Sequence, residues 1–104
     1  MLKDGYKYYE NNDGLFRVKD GVVERYEDVD KWVANDKYSA GLLSMDEAFD
    51  YNATDSIDDE KTLDEYIEVC NIAYTHKGSK NITPQDMRLF KVYTPQALKN
   101  MLKI

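Results

Sequence analysis

Cysteine and histidine are almost missing from this chain of 104 residues: Cys70 and His76 are the sole examples. A disulfide framework is therefore excluded, and so is a zinc site built from several thiolates and imidazoles. No Gly-rich loop of the phosphate-cradling kind occurs. Apolar runs are short, none approaching the ~20 residues of a membrane-spanning helix or the apolar stretch of a signal peptide. The expectation is a cytoplasmic protein with no membrane association. Positive charge is also in deficit: 14 Lys and Arg face 20 Asp and Glu, a net of −6, which argues against general nucleic-acid binding. What is present suits a globular chain, with 42% hydrophobic and 12% aromatic residues. At this length the chain reads as one α+β domain over 1–104, able to build a core without metal or disulfide.

The charge is unevenly placed. Residues 46–68 hold ten acids against Lys61 alone, whereas residues 69–104 hold Asp86 against six Lys and Arg. Half of the acids thus occupy a short central segment and the tail is basic. Such a layout bears on partner choice more than on fold.

Residues 1–43 read mainly as strands. Tyr6–Glu10 is aromatic-rich and suits a pleated surface. Asn11 to Gly14 is a turn signal. Leu15–Lys19 alternates, with Phe16 and Val18 on one face and Leu15, Arg17 and Lys19 on the other. Asp20-Gly21 is the hairpin dipeptide of a type I′ turn, which needs positive φ at both central positions. Val22–Tyr26 returns, a turn at Glu27–Asp30 follows, and Lys31–Val33 offers a fourth strand. The pattern is an antiparallel meander.

Residues 44–104 read mainly as helices. Ser44-Met45-Asp46-Glu47 is a capping-box pattern that predicts a short helix over Met45–Tyr51. Asn52–Ile57 reads as a loop. The clearest helix runs from Asp59 to His76, with Leu63, Tyr66, Ile67, Cys70, Ala73 and Tyr74 on the apolar stripe and Gly78 as its stop. Thr83-Pro84 and Thr94-Pro95 repeat the same cap chemistry. The second opens a terminal helix through Ala97, Leu98, Met101 and Leu102. Met87–Tyr93 fits a strand or a helix.

Searches for reactive constellations end without a site. Cys70 lies on the apolar stripe and His76 in the last turn, on opposite sides of one helix, so they form no nucleophile pair. An EF-hand frame begun at Asp50 meets Asp55 at its sixth position and Lys61 at its twelfth, and fails at both. Paired carboxylates for glycoside hydrolysis carry no weight among so many acids. The expectation is a non-enzyme with no catalytic residue, no cofactor and no metal.

Surface remains. Asp64, Glu65 and Glu68 lie opposite the apolar stripe, with Asp58, Asp59 and Glu60 at the helix mouth and Asp55 before it. Acids at a helix N-terminus stabilise it by ~0.3–1 kcal/mol each and otherwise form a solvated face. The segment supplies more acids than capping needs, and their mutual repulsion lowers stability unless something else selects them. The alternative is an anionic patch, Asp55, Asp58, Asp59, Glu60, Asp64, Glu65 and Glu68, that occupies a cationic groove on another protein. Acids one helical turn apart rise ~6 Å and phosphates ~3.4 Å, so such mimicry would be of field and not of register. The nine tyrosines suggest a second contact surface at Tyr6, Tyr8 and Tyr9, against the simpler role of aromatic core.

The pattern Tyr8-Tyr9, Asp13-Gly14-Leu15, Arg17-Val18, Gly21, Glu24, Tyr26 and Trp32 resembles the opening meander of small phage and mobile-element proteins of low-GC Gram-positive bacteria. Small size, acidity, excess tyrosine and absence of an enzymatic motif are similar to the type II anti-CRISPR inhibitors those elements carry. The resemblance implies a stoichiometric inhibitor in the bacterial host cytoplasm. It would bind an RNA-guided CRISPR nuclease and block guide RNA loading or target DNA binding. The basic tail departs from a pure nucleic-acid mimic. The alternative is a phage or mobile-element accessory protein acting as a dimeric regulatory or assembly module.

Overall fold

The computed structural model describes residues 4–11, 13–43, 54–76 and 94–104. Asp20 and Gly21 carry positive φ, 52° and 78°, as the type I′ turn requires. They join β2 (Gly14–Lys19) to β3 (Val22–Asp28), with Lys19 opposite Val22 and Arg17 opposite Glu24. Strand β1 (Lys7–Asn11) pairs antiparallel with β2, placing Tyr9 opposite Phe16. On the other side, Asp30 at φ 55° turns the chain into β4 (Lys31–Ala34), and a bulge between Tyr26 and Asp28 adjusts the register. The expected meander is therefore present.

One element differs from expectation. Residues 52–57 read as a loop, yet β5 (Asp55–Ile57) pairs antiparallel with β1, Tyr8 facing Ile57. The sheet order is β4-β3-β2-β1-β5. A three-residue strand with one apolar side chain has no alternation to detect, and its backbone is satisfied by an edge far away in sequence. A single helical turn, α1 (Ala40–Leu43), also goes beyond the sequence reading. The long helix α2 (Glu60–Thr75) and the terminal helix α3 (Pro95–Leu102) match it. Asp59 caps α2, accepting from the Thr62 amide at 2.9 Å, and Thr94 Oγ1 caps α3, accepting from the Ala97 amide at 3.1 Å. The expected helix over Met45–Tyr51, the Gly78 stop and the helix-or-strand segment Met87–Tyr93 lie outside the described residues.

Three apolar clusters fix the layers. One sheet face gives Tyr8, Leu15, Tyr26 and Ile57 to Leu63, Tyr66, Cys70 and Tyr74 of α2. The opposite face gives Tyr9, Phe16 and Val23 to Leu43 of α1. Val69, Ile72 and Ala73 then pack on Leu98 of α3, flanked by Met101 and Leu102. The order is α1, sheet, α2, α3. Adjacent Leu15 and Phe16 are both fully buried because the sheet is covered on both faces. Val69 and Ile72, off the single stripe read from sequence, are buried because α2 has helix α3 on its second side.

Tyr26 ties sheet to helix. Its hydroxyl donates to Asn71 Oδ1 at 2.6 Å and accepts from the Asp30 amide at 2.7 Å. The Tyr74 hydroxyl donates to the Tyr26 carbonyl at 2.8 Å. Burial pushes the pKa of the Tyr26 phenol up. Tyr26→Phe keeps the ring and removes both hydroxyl links, and should cost about 1–2 kcal/mol in urea unfolding. Cys70 is fully buried and burial also raises its thiol pKa. An alkylating reagent should therefore spare Cys70 in the native protein and label it after denaturation, and Cys70→Ala should cost about 1–2 kcal/mol.

Candidate binding surface

The acids of the central segment take distinct places. Asp58, Asp59, Glu60, Asp64 and Glu68 are exposed, whereas Asp55 on β5 and Glu65 on the flank of α2 are half-buried. Glu60, Asp64 and Glu68 stand four residues apart and form one ridge along the solvent face, with ~6 Å between successive steps. Asp58 and Asp59 continue it past the helix N-terminus, Asp58 accepting from Ser56 Oγ at 3.3 Å. The structure thus brings five of the seven acids into one strip and leaves Asp55 and Glu65 outside it.

Asp59 already has local work. The Thr62 amide and the Thr62 hydroxyl both donate to its Oδ2 at 2.9 Å. These two hydrogen bonds, the amide first, hold its pKa below the ordinary 3.8. Glu60 sits in the first turn, where the helix dipole favours an anion. Asp64 and Glu68 lie beyond that range. Glu68 meets Lys99 of α3, Nζ to Oε1 3.4 Å, an exposed and long contact worth little in stability.

The tyrosines are placed otherwise than a surface role requires. Tyr8 and Tyr9 are only 5% and 8% exposed, on opposite sheet faces, and belong to the two cores. Their proposed surface role is corrected: adjacent strand residues point to opposite faces, and here both faces are covered. Tyr6 alone is half-buried. It packs with Trp32 around Arg17, whose guanidinium lies 4.2 Å from the Tyr6 ring centre and 4.3 Å from that of Trp32. Arg17 Nε also donates to Glu24 Oε1 at 2.8 Å. The Tyr8 hydroxyl donates to Asp4 Oδ2 at 2.6 Å, and burial, assisted by that carboxylate, pushes the Tyr8 pKa up to about 12. Sequence reasoning missed this stack. Its signal is register: Tyr6, Arg17 and Trp32 share a face only once β1, β2, β3 and β4 are aligned.

A shallow groove of about 380 Å³ separates α2 from α3. Ile67, Ile72 and Ile104 supply its apolar wall, and Asp64, Glu68 and Lys99 its charged rim. His76, which closes α2 as C-cap through its amide to the Ile72 carbonyl, stands at one end. Among the described residues, no group of three or more His, Cys, Asp or Glu is placed to hold a metal ion. Among the same residues, no helix is long and apolar enough to cross a membrane. Comparison with known proteins finds no matching family model, no matching curated protein and no matching solved structure.

The cap gives a pH test. A carboxylate whose folded pKa is lowered contributes stability above its unfolded pKa and loses it as pH falls through the folded value. Asp59→Asn retains an acceptor oxygen for Thr62 but cannot titrate. Thermal melts taken from neutral to acid pH should show the variant close to wild type at neutral pH. Its melting temperature should fall less steeply than that of wild type once the pH drops below about 4.

Proposed function

We propose that the chain is a non-enzymatic inhibitor that binds another protein by occupying its basic nucleic-acid groove. An RNA-guided CRISPR nuclease in the bacterial host cell is the target that the anti-CRISPR resemblance supplies. The observation that carries the reading is the exposed ridge of Glu60, Asp64 and Glu68, extended by Asp58 and Asp59. Capping and the helix dipole account for Asp59 and Glu60. They do not account for Asp64 and Glu68: Lys61 and Lys99 offset part of the charge, but the strip of five acids stays net negative and its neighbours one turn apart repel. A cationic partner removes that repulsion. Blocking of guide RNA loading or of target DNA binding then follows from competition for the same positive channel.

The test is a charge-neutral variant, Asp58→Asn with Glu60→Gln, Asp64→Asn and Glu68→Gln. Its thermal stability should equal or exceed that of wild type. Its affinity for the nuclease should fall by two to three orders of magnitude, at roughly 1 kcal/mol for each of the four lost pairs. Wild-type association should slow steeply with added salt, and guide RNA should compete for the free nuclease. Full inhibition by the neutral variant would overturn the reading.

A further inference from the structure

We infer that the groove between α2 and α3 seats a basic amphipathic segment of the protein partner, an apolar side chain entering it and flanking Lys or Arg side chains meeting its acidic rim. The inference rests on the acidic-surface reading and adds where and how the partner engages. Charge alone would need only the ridge. The groove adds an apolar floor directly beside that ridge, since Asp64 and Glu68 belong to both. Ile104 is 55% exposed there, and Ile67 is only partly buried at the edge of the main core. Apolar surface next to unbalanced carboxylates suits a segment that carries both kinds of side chain. Lys99 indicates the chemistry: its ammonium approaches Glu68 across the groove at 3.4 Å, so a cation is already accepted at that rim. Lys99 and the exposed Lys61 of α2 together do not balance Asp58, Glu60, Asp64 and Glu68. A lysine or arginine of the partner supplies the rest.

The test uses the full chain and a synthetic helical peptide with leucine along one face and lysine along the other. A scrambled peptide of the same composition is the control. The helical peptide should bind and shift the methyl resonances of Ile67, Ile72 and Ile104, and the scrambled peptide should bind about tenfold more weakly. Ile104→Ser, which removes an exposed side chain, and Thr75→Trp, which fills the groove, should each weaken helical-peptide binding about tenfold. Neither removes a ridge carboxylate, so scrambled-peptide binding should stay unchanged. Equal binding of both peptides with unmoved isoleucine methyls would overturn the inference, as would failure of the helical peptide to bind. Methyl shifts that track protein concentration alone, with a dimer in sedimentation, would also overturn it in favour of a second copy of the chain. Titrating the nuclease in parallel separates the two claims. Wild-type-like nuclease and peptide binding by both groove variants sinks the groove and leaves the ridge. Groove-dependent peptide binding without nuclease binding supports the groove and sinks the proposed target.

Discussion

Helix α2 is enclosed on two sides, and most of the molecule follows from that. Its buried residues, from Ile72 round to Tyr74, cover about 200° of the helix circumference at 100° per residue. The sheet takes one part through Leu63, Tyr66, Cys70 and Tyr74, and α3 the other through Val69, Ile72 and Ala73. The exposed acids Glu60, Asp64 and Glu68 are confined to the arc that remains, whereas Glu65 falls within the covered arc beside Ile72 and is half-buried. The acidic ridge is thus narrow because the core is wide. Confinement of the exposed acids to one strip of α2 is a consequence of packing, and their excess over capping is the observation on which the proposed partner rests.

The local parts of this architecture were legible in sequence because their causes are local. The Asp20-Gly21 turn, the alternation of Phe16 and Val18 against Leu15 and Arg17, the start of the long helix near Asp59 and the Thr94-Pro95 start all rest on residues within a few positions of one another. Strand β5 was not legible, because what makes Asp55–Ile57 a strand is the free edge of β1. Burial of Val69 and Ile72 was missed for the same reason, since α3 is the cause. The sequence reading put Asp64, Glu65 and Glu68 on one helix face, but did not separate Asp64 and Glu68, which are exposed, from half-buried Glu65 at the flank. Tyr8 and Tyr9 were read as a surface option because a single strand cannot reveal that both of its faces are covered.

Arg17 completes the sheet face on which α2 lies. Its guanidinium is held between Tyr6 and Trp32 and paired with Glu24, the side chains of that pair being 20% and 26% exposed. The aliphatic stem and the flat cation cover aromatic surface while the charge keeps a partner. The tyrosine excess is explained in the same terms: Tyr8, Tyr26, Tyr66 and Tyr74 join in one cluster in which ring area fills space. The hydroxyls of Tyr8, Tyr26 and Tyr74 reach Asp4, Asn71 and the Tyr26 carbonyl.

The pairing of β5 with β1 gives the molecule a folding sequence. The three hairpins of the meander close between residues that are near neighbours along the chain, whereas Tyr8 meets Ile57 only after a long loop has been drawn shut. Loop closure costs entropy that grows with the logarithm of loop length, and contacts of high sequence separation form slowly. On that ground the four-stranded meander is expected to form before its fifth strand joins it. Because β5 runs into Asp59 and α2 almost at once, its arrival fixes the start of the helix. The N-terminal end of the acidic strip is thereby tied to the edge of the sheet.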